Sequence, residues 1–213
     1  MSLLLYDHPV SSNACKVRFL LAELGLEYER THVPFARPRP DWYLAVNPFG
    51  GIPTLVDGDV TLAESQAILR YLALREQRDD LYPSEPARRA RIDWALDAWT
   101  TSARPALVRL EFPVLFDTGD MDAGEPHPER ADPAGVEAAL PKTRAGLAPF
   151  EAFCAGDGTV CGGGLTIADF AVAPVLARSR ALPLDLEGEF PKLARIRDTI
   201  TSREPFAAAG FVA

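Results

Sequence analysis

Cysteine is scarce in this chain of 213 residues: Cys15, Cys154 and Cys161 are the whole complement. No C-x-x-C pair occurs, so a disulfide framework, a structural zinc site and a two-cysteine redox motif lose their usual carriers. The three histidines, His8, His32 and His127, are scattered without metal-ligand spacing, and no metal is expected. No apolar run approaches the eighteen residues that would span a bilayer. The start, MSLLLYDHPV, has no basic n-region ahead of its three leucines and reads as a strand rather than a signal peptide. Basic charge is in deficit as well. Net charge is −8, and Lys and Arg are dispersed rather than gathered on one stretch, so neither a nucleic-acid partner nor a membrane surface is expected. Few, unpaired thiols point to a reducing cytoplasm. An anionic ligand would have to be held by local dipoles and hydroxyls against a repulsive overall field.

What is present is a sizeable apolar fraction, 47%, set out in two different rhythms. The first eighty residues alternate strand-like and helix-like runs. LLLY (3–6) reads as a buried strand. A helix follows, with Val17, Leu20, Leu21 and Leu24 on one stripe and Lys16, Arg18 and Glu23 off it. Gly25 stands at its C-terminal cap. EYERTHV (27–33) is a second strand, and DWYLAVNP (41–48) a short helical turn. TLV and VTL flank Asp57-Gly58-Asp59, a hairpin signal. ESQAILRYLALREQ is helical again. The order is β-α-β-α-β-β-α, with parallel pairing expected among the early strands and an antiparallel edge at the hairpin.

RDDLYPSEP (78–86) breaks this rhythm, and no strand pattern follows it. The expected division is a unit over 1–78, a linker over 79–86 and an all-α unit over 87–213. The second unit begins with one long helix over 87–112. A nineteen-residue loop over 117–135 comes next, then helices near 136–155, 166–181 and 191–203. Thr166 and Asp169 have the spacing of a capping box, and Pro174 falls within that helix.

Three places could carry chemistry. Ser11, Ser12, Asn13 and Cys15 crowd the mouth of the first helix, more polar groups than one cap needs. In NPFGGIPTL, Pro53 stands where a prolyl ring would spoil a ladder. A cis Ile52–Pro53 bond would turn the backbone groups of Ile52 outward, ready to pair with an extended peptide. Glu64 and Ser65 begin the third helix. They offer a carboxylate for an ammonium, and a hydroxyl with free helix N–H groups for a carboxylate. Taken singly, an ordinary structural role is the favoured reading at each place, capping at the two helix starts.

Taken together, SSNACKVRFLLAELGLEYE, NPFGGIPTLVDGDVTLAESQAILRYL and LTIADFAVAP resemble the glutathione transferase family, and the resemblance runs from residue 3 to about 205. It implies a thioredoxin-like N-terminal unit, a helical C-terminal bundle, a homodimer, and transfer of the thiol of glutathione, as co-substrate, to a hydrophobic electrophile. Ile52 and Pro53 would then meet the cysteinyl backbone, Glu64 the γ-glutamyl ammonium and Ser65 its carboxylate. Arg39, or Arg37, would meet the glycyl carboxylate. Gly51 replaces a residue that is often polar in relatives, so one side-chain contact is lost. Family spacing, six residues before the Val of KVR, points to Ser11 as the hydroxyl that activates the thiol, with Ser12 and Cys15 as alternatives. Pro9, Val10, Trp99, Leu107 and Phe112 are the expected wall of the electrophile pocket. A glutathione-dependent isomerase of the maleylacetoacetate type, a thiol–disulfide exchanger and a non-catalytic glutathione-binding protein remain as other readings. Arg70 and Asp93 or Asp97 are candidates to meet across a dimer interface.

Overall fold

The computed structural model describes residues 3–35, 37–115 and 132–210. Four strands form one sheet in the order β2-β1-β3-β4: β1 Leu3–Asp7, β2 Tyr28–His32, β3 Thr54–Asp57 and β4 Val60–Leu62. β1 and β2 run parallel, joined by α1 (Ser12–Glu23), while β3 is antiparallel to both β1 and β4. Parallel pairing is thus confined to the first two strands. The β2–β3 connection holds only the four-residue α2 (Asp41–Leu44), too short for a parallel crossover. The hairpin turns through Gly58 at φ 58°, and α3 (Ser65–Arg75) follows. Gly25 adopts φ 65° after α1, as a helix-ending glycine does.

Beyond β4 the elements among the described residues are all helical. α4 (Pro86–Ala98) runs through a π-helical segment, Trp99–Ala103, into α5 (Arg104–Leu115), so the long helix expected over 87–112 is interrupted. Pro105 explains the break, because it has no N–H to return to the Thr101 carbonyl. The ladder instead widens, with Arg104 N–H reaching the Trp99 carbonyl. α6 (Pro133–Phe153) starts with Asp132 capping Ala134 N–H, so the last three residues of the expected 117–135 loop are helix, and 116–131 lie outside the described residues. α7 (Ile167–Arg178) carries the expected capping box of Thr166 and Asp169, and is followed by a single 3-10 turn. α8 (Leu186–Glu189), α9 (Pro191–Thr201) and α10 (Glu204–Ala208) complete it.

One apolar core runs through both parts. Phe19 of α1 packs against Phe170 of α7 with ring centroids 4.3 Å apart and planes tilted by 38°, and Leu81 and Tyr82 of the intervening segment are buried in the same cluster. α1 packs against α3, α7 and α10, and Ser12 and all of residues 14–21 are buried. Lys16 and Arg18, off the apolar stripe and therefore expected outside, are buried with it. Arg18 satisfies its charge on Asp7 at 2.6 Å and donates to the carbonyls of Ala209 and Pro9. Lys16 finds no hydrogen-bond acceptor among the described residues, and burial, helped by Arg104, pulls its pKa down to about 7. His8 is likewise interior, its Nδ1 accepting from Val10 N–H at 3.3 Å. Arg70 and Asp93, candidates with Asp97 for a contact between copies, pair within the chain at 2.7 Å. Among the described residues no helix is long and apolar enough to cross a membrane.

Candidate active site

A cleft of about 220 Å³ opens where the sheet unit faces the helical one. Four segments of the first unit line it. Val10, Ser11, Ser12 and Asn13 come from the mouth of α1, and Phe35, Arg37 and Arg39 from the loop after β2. Gly51, Ile52 and Pro53 precede β3, and Glu64 and Ser65 begin α3. The three places singled out in the sequence therefore converge.

Each is held by local chemistry. Ser11 is the N-cap of α1, and its buried Oγ accepts from Ala14 N–H at 3.2 Å. Accepting through a lone pair leaves the hydroxyl proton available to a ligand. Ser12 Oγ accepts from Arg104 Nη2 at 3.3 Å. The Ile52–Pro53 peptide is cis. Among the described residues the Ile52 N–H and C=O pair with no other backbone group, while the Ile52 side chain is anchored with Ala14, Val33 and Tyr43. Asn47 braces this loop, donating to Gly51 O at 2.9 Å and Thr54 Oγ1 at 3.1 Å, and Tyr43 Oη donates to the same Gly51 carbonyl. A Cβ on Gly51 would meet nothing nearer than Asn47 Nδ2 at 3.9 Å, so the missing side chain leaves room.

Glu64 stands at φ 63°, ψ 107°, a conformation unfavourable for any residue with a Cβ. It caps α3 by position yet makes no side-chain cap bond, and this aims its carboxylate at the cleft rather than at its own helix. Ser65 lies beside it in the first turn, buried, among the free N–H groups of α3.

Several expectations need correction. Cys15 is fully buried, does not line the cleft, and its thiol is pushed up to about 12 by burial. That is the opposite of an activated cysteine. Arg39 spends its Nε on Gly50 O at 3.0 Å and Nη1 on Pro34 O at 2.6 Å, bracing the loop. Arg37, exposed at the rim, has no such partners among the described residues. Among the described side chains of the expected electrophile wall only Val10 lines the cleft. Trp99 and Leu107 point into the core with no exposure, Pro9 faces solvent, and the Phe112 side chain lies outside the described residues. The wall is instead Arg104, Val108 and Glu111, one face of α5 at i, i+4, i+7, together with Arg178 from the end of α7. Arg178 forms a buried ion pair with Glu111 and donates to Val10 O at 2.6 Å. The visible signal was Arg104 and Glu111, two charges seven residues apart and so on one helix face. Finding it required the π segment's rotation, which the sequence does not announce. Among the described residues no group of three acids, histidines or cysteines could hold a metal.

This arrangement has counterparts. The Glutathione S-transferase, N-terminal domain model matches residues 1–74, and the Glutathione S-transferase, C-terminal domain model matches 133–198. Glutathione S-transferase 3 of Zea mays is 35% identical over 183 residues, covering 83% of this chain and 78% of that protein. The chain belongs to the glutathione S-transferase family. GstB of Escherichia coli K12 is 32% identical over 174 residues, covering 78% and 77%. Among solved structures, a theta-class glutathione S-transferase from Xanthomonas axonopodis pv. citri, with glutathione bound, aligns over 100% of this chain and 98% of its own, at 27% identity and a TM-score of 0.83. A structure of glutathione S-transferase III in apo form aligns over 98% and 95%, at 32% identity and a TM-score of 0.78. This transferase fold, a thioredoxin-like sheet unit followed by helices, is the architecture described above.

Proposed function

We propose that the cleft holds glutathione, extended along the loop before β3, and that the enzyme transfers its sulfur to an electrophile lying against α5. The carrying observation is the convergence in one cleft of Ser11, the unpaired backbone of Ile52 ahead of cis Pro53, Glu64 and Ser65. The cysteinyl amide pairs with the Ile52 backbone as an added strand would. The γ-glutamyl ammonium meets Glu64, and its carboxylate meets Ser65 with the α3 N-terminus. The glycyl carboxylate reaches Arg37 at the rim, because Arg39 is engaged with carbonyls.

The sulfur then lies at the mouth of α1. A serine hydroxyl does not deprotonate a thiol; Ser11 instead donates its free O–H to the thiolate, and the N–H groups of α1 add positive potential. Both favour the charged sulfur and lower its pKa, so nucleophile is present at neutral pH. Thiol–disulfide exchange through Cys15 is disfavoured by its burial. The active assembly is a homodimer in the cytoplasm, with glutathione as co-substrate and no metal. The 81% exposure of Phe49, on the loop beside the cleft, supplies an apolar contact for a second copy.

Titration calorimetry with glutathione, paired with turnover of a neutral aryl halide, tests the reading. Saturable one-to-one binding and glutathione-dependent conjugation are expected. No heat and no turnover would overturn it.

A further inference from the structure

Arg104 is the unusual member of this site. Four guanidinium groups line the cleft against two carboxylates, on a chain of net charge −8. Three have an occupation within the proposed arrangement. Arg178 is paired with Glu111, Arg39 is bonded to carbonyls, and Arg37 stands at the rim for the glycyl end. Arg104 has one long hydrogen bond, to Ser12 Oγ, and among the described residues no carboxylate within ion-pair distance. Its Nε is buried without an acceptor among the described residues. Burial depresses its pKa, Glu111 opposes that, and Arg178 adds to it; a guanidinium nonetheless keeps its charge at neutral pH.

A desolvated donor on a full charge is costly, and a ligand that expels water from the cleft raises that cost unless it brings an acceptor. Sites with buried polar groups discriminate strongly against ligands that leave those groups unpaired. The occupant is not glutathione itself, whose two carboxylates already have partners in the proposed arrangement. What remains is the electrophile. It would lie between the sulfur at Ser11 and the α5 face, where Val10 and Val108 supply apolar surface and Arg104, a turn before Val108, supplies charge.

We infer that Arg104 receives an anionic group on the electrophile, so that the second substrate is an amphipathic acid: an apolar reacting body on Val10 and Val108, with a carboxylate or similar planar anion on the Arg104 fork. This rests on the glutathione site proposed above. It narrows the hydrophobic electrophile of the sequence reading to a charged one. For an aryl chloride the step is substitution. The sulfur–carbon bond forms at the chlorinated carbon, the carbon–chlorine pair leaves as chloride, and the thiol proton passes to solvent.

The test compares a chlorodinitrobenzoate with its neutral carboxamide, each kcat/KM divided by the uncatalysed rate with glutathione. The wild-type enzyme is expected to favour the benzoate, less so as salt rises. Arg104→Met should lower the benzoate-to-carboxamide ratio roughly ten- to hundredfold, the scale of one charge-assisted hydrogen bond. Arg104→Lys should retain part of the preference, a result that a merely structural arginine would not give. A wild-type enzyme that conjugates the carboxamide without preferring the benzoate overturns the inference and leaves the glutathione reading intact. An equal fall for both substrates in Arg104→Met, with a raised thiol pKa in the pH profile, also overturns it, placing Arg104 at the thiolate instead. If neither substrate turns over and glutathione does not bind, the glutathione reading itself fails and this inference with it.

Discussion

Ser11 Oγ accepts the Ala14 N–H at 3.2 Å, so one hydroxyl both ends the backbone of α1 and keeps a proton to give away. Ser11→Ala should therefore show two separable losses. The cap accounts for about 1 kcal/mol of stability, read by denaturant unfolding. The lost donor should lower kcat/KM at neutral pH by roughly tenfold or more, with recovery at high pH as the thiol ionises unaided. Ser11→Thr keeps both groups and should restore most of each. An unchanged pH profile in Ser11→Ala would remove this hydroxyl from the chemistry.

Glu64 pays for its position with a φ of 63°. Glu64→Gly should relieve roughly 1 kcal/mol or more of backbone strain and raise the melting temperature. The same change should weaken glutathione binding roughly tenfold or more through loss of the ammonium contact. Calorimetry and thermal unfolding on one preparation would check both signs. Tighter or unchanged binding would contradict the assignment.

Lys16 ties stability to pH. Its folded pKa, about 7, lies below its ordinary value of 10.5. The unfolded chain thus holds more protons between those values, and stability should rise with pH from about 7 toward 10 on this account. Lys16→Met should flatten that slope and stabilise the protein near neutrality by on the order of 2 kcal/mol. Urea unfolding of both proteins from pH 6.5 to 9.5 would decide it.

Cys15→Ala should leave glutathione conjugation essentially intact, since the thiol lies outside the cleft. Its cost should be a small core cavity, about 1 kcal/mol. Loss of turnover with the fold retained would return Cys15 to consideration.

Residues whose place at the cleft follows from local backbone geometry could be read from the sequence. Ser11 before an apolar helix, Pro53 ahead of a short strand and Glu64-Ser65 at a strand-to-helix junction carry their signal within a few neighbours. Arg104, Val108, Glu111 and Arg178 do not, because their meeting depends on how α5 and α7 are rotated about their axes. That rotation is set by the π segment and by packing between segments some seventy residues apart. Lys16 and Arg18 misled for a related reason. Periodicity marks a helix as two-faced, but α1 is enclosed by elements drawn from both ends of the chain. Arg37 and Arg39 illustrate the remaining limit: two residues apart and chemically identical, they were separated only by which carbonyls lay within reach.

The widened turn at Trp99–Ala103 has a further consequence. Each residue in a helix advances the face by about 100°, so a wall built downstream of that turn is keyed to a single amino acid of chain length. Deleting one residue there would swing a different row of side chains toward the cleft, with Ile52, Glu64 and Ser65 undisturbed. A lineage carrying this turn could thus exchange its repertoire of acceptor molecules in one genetic event while its grip on the tripeptide stayed as it was.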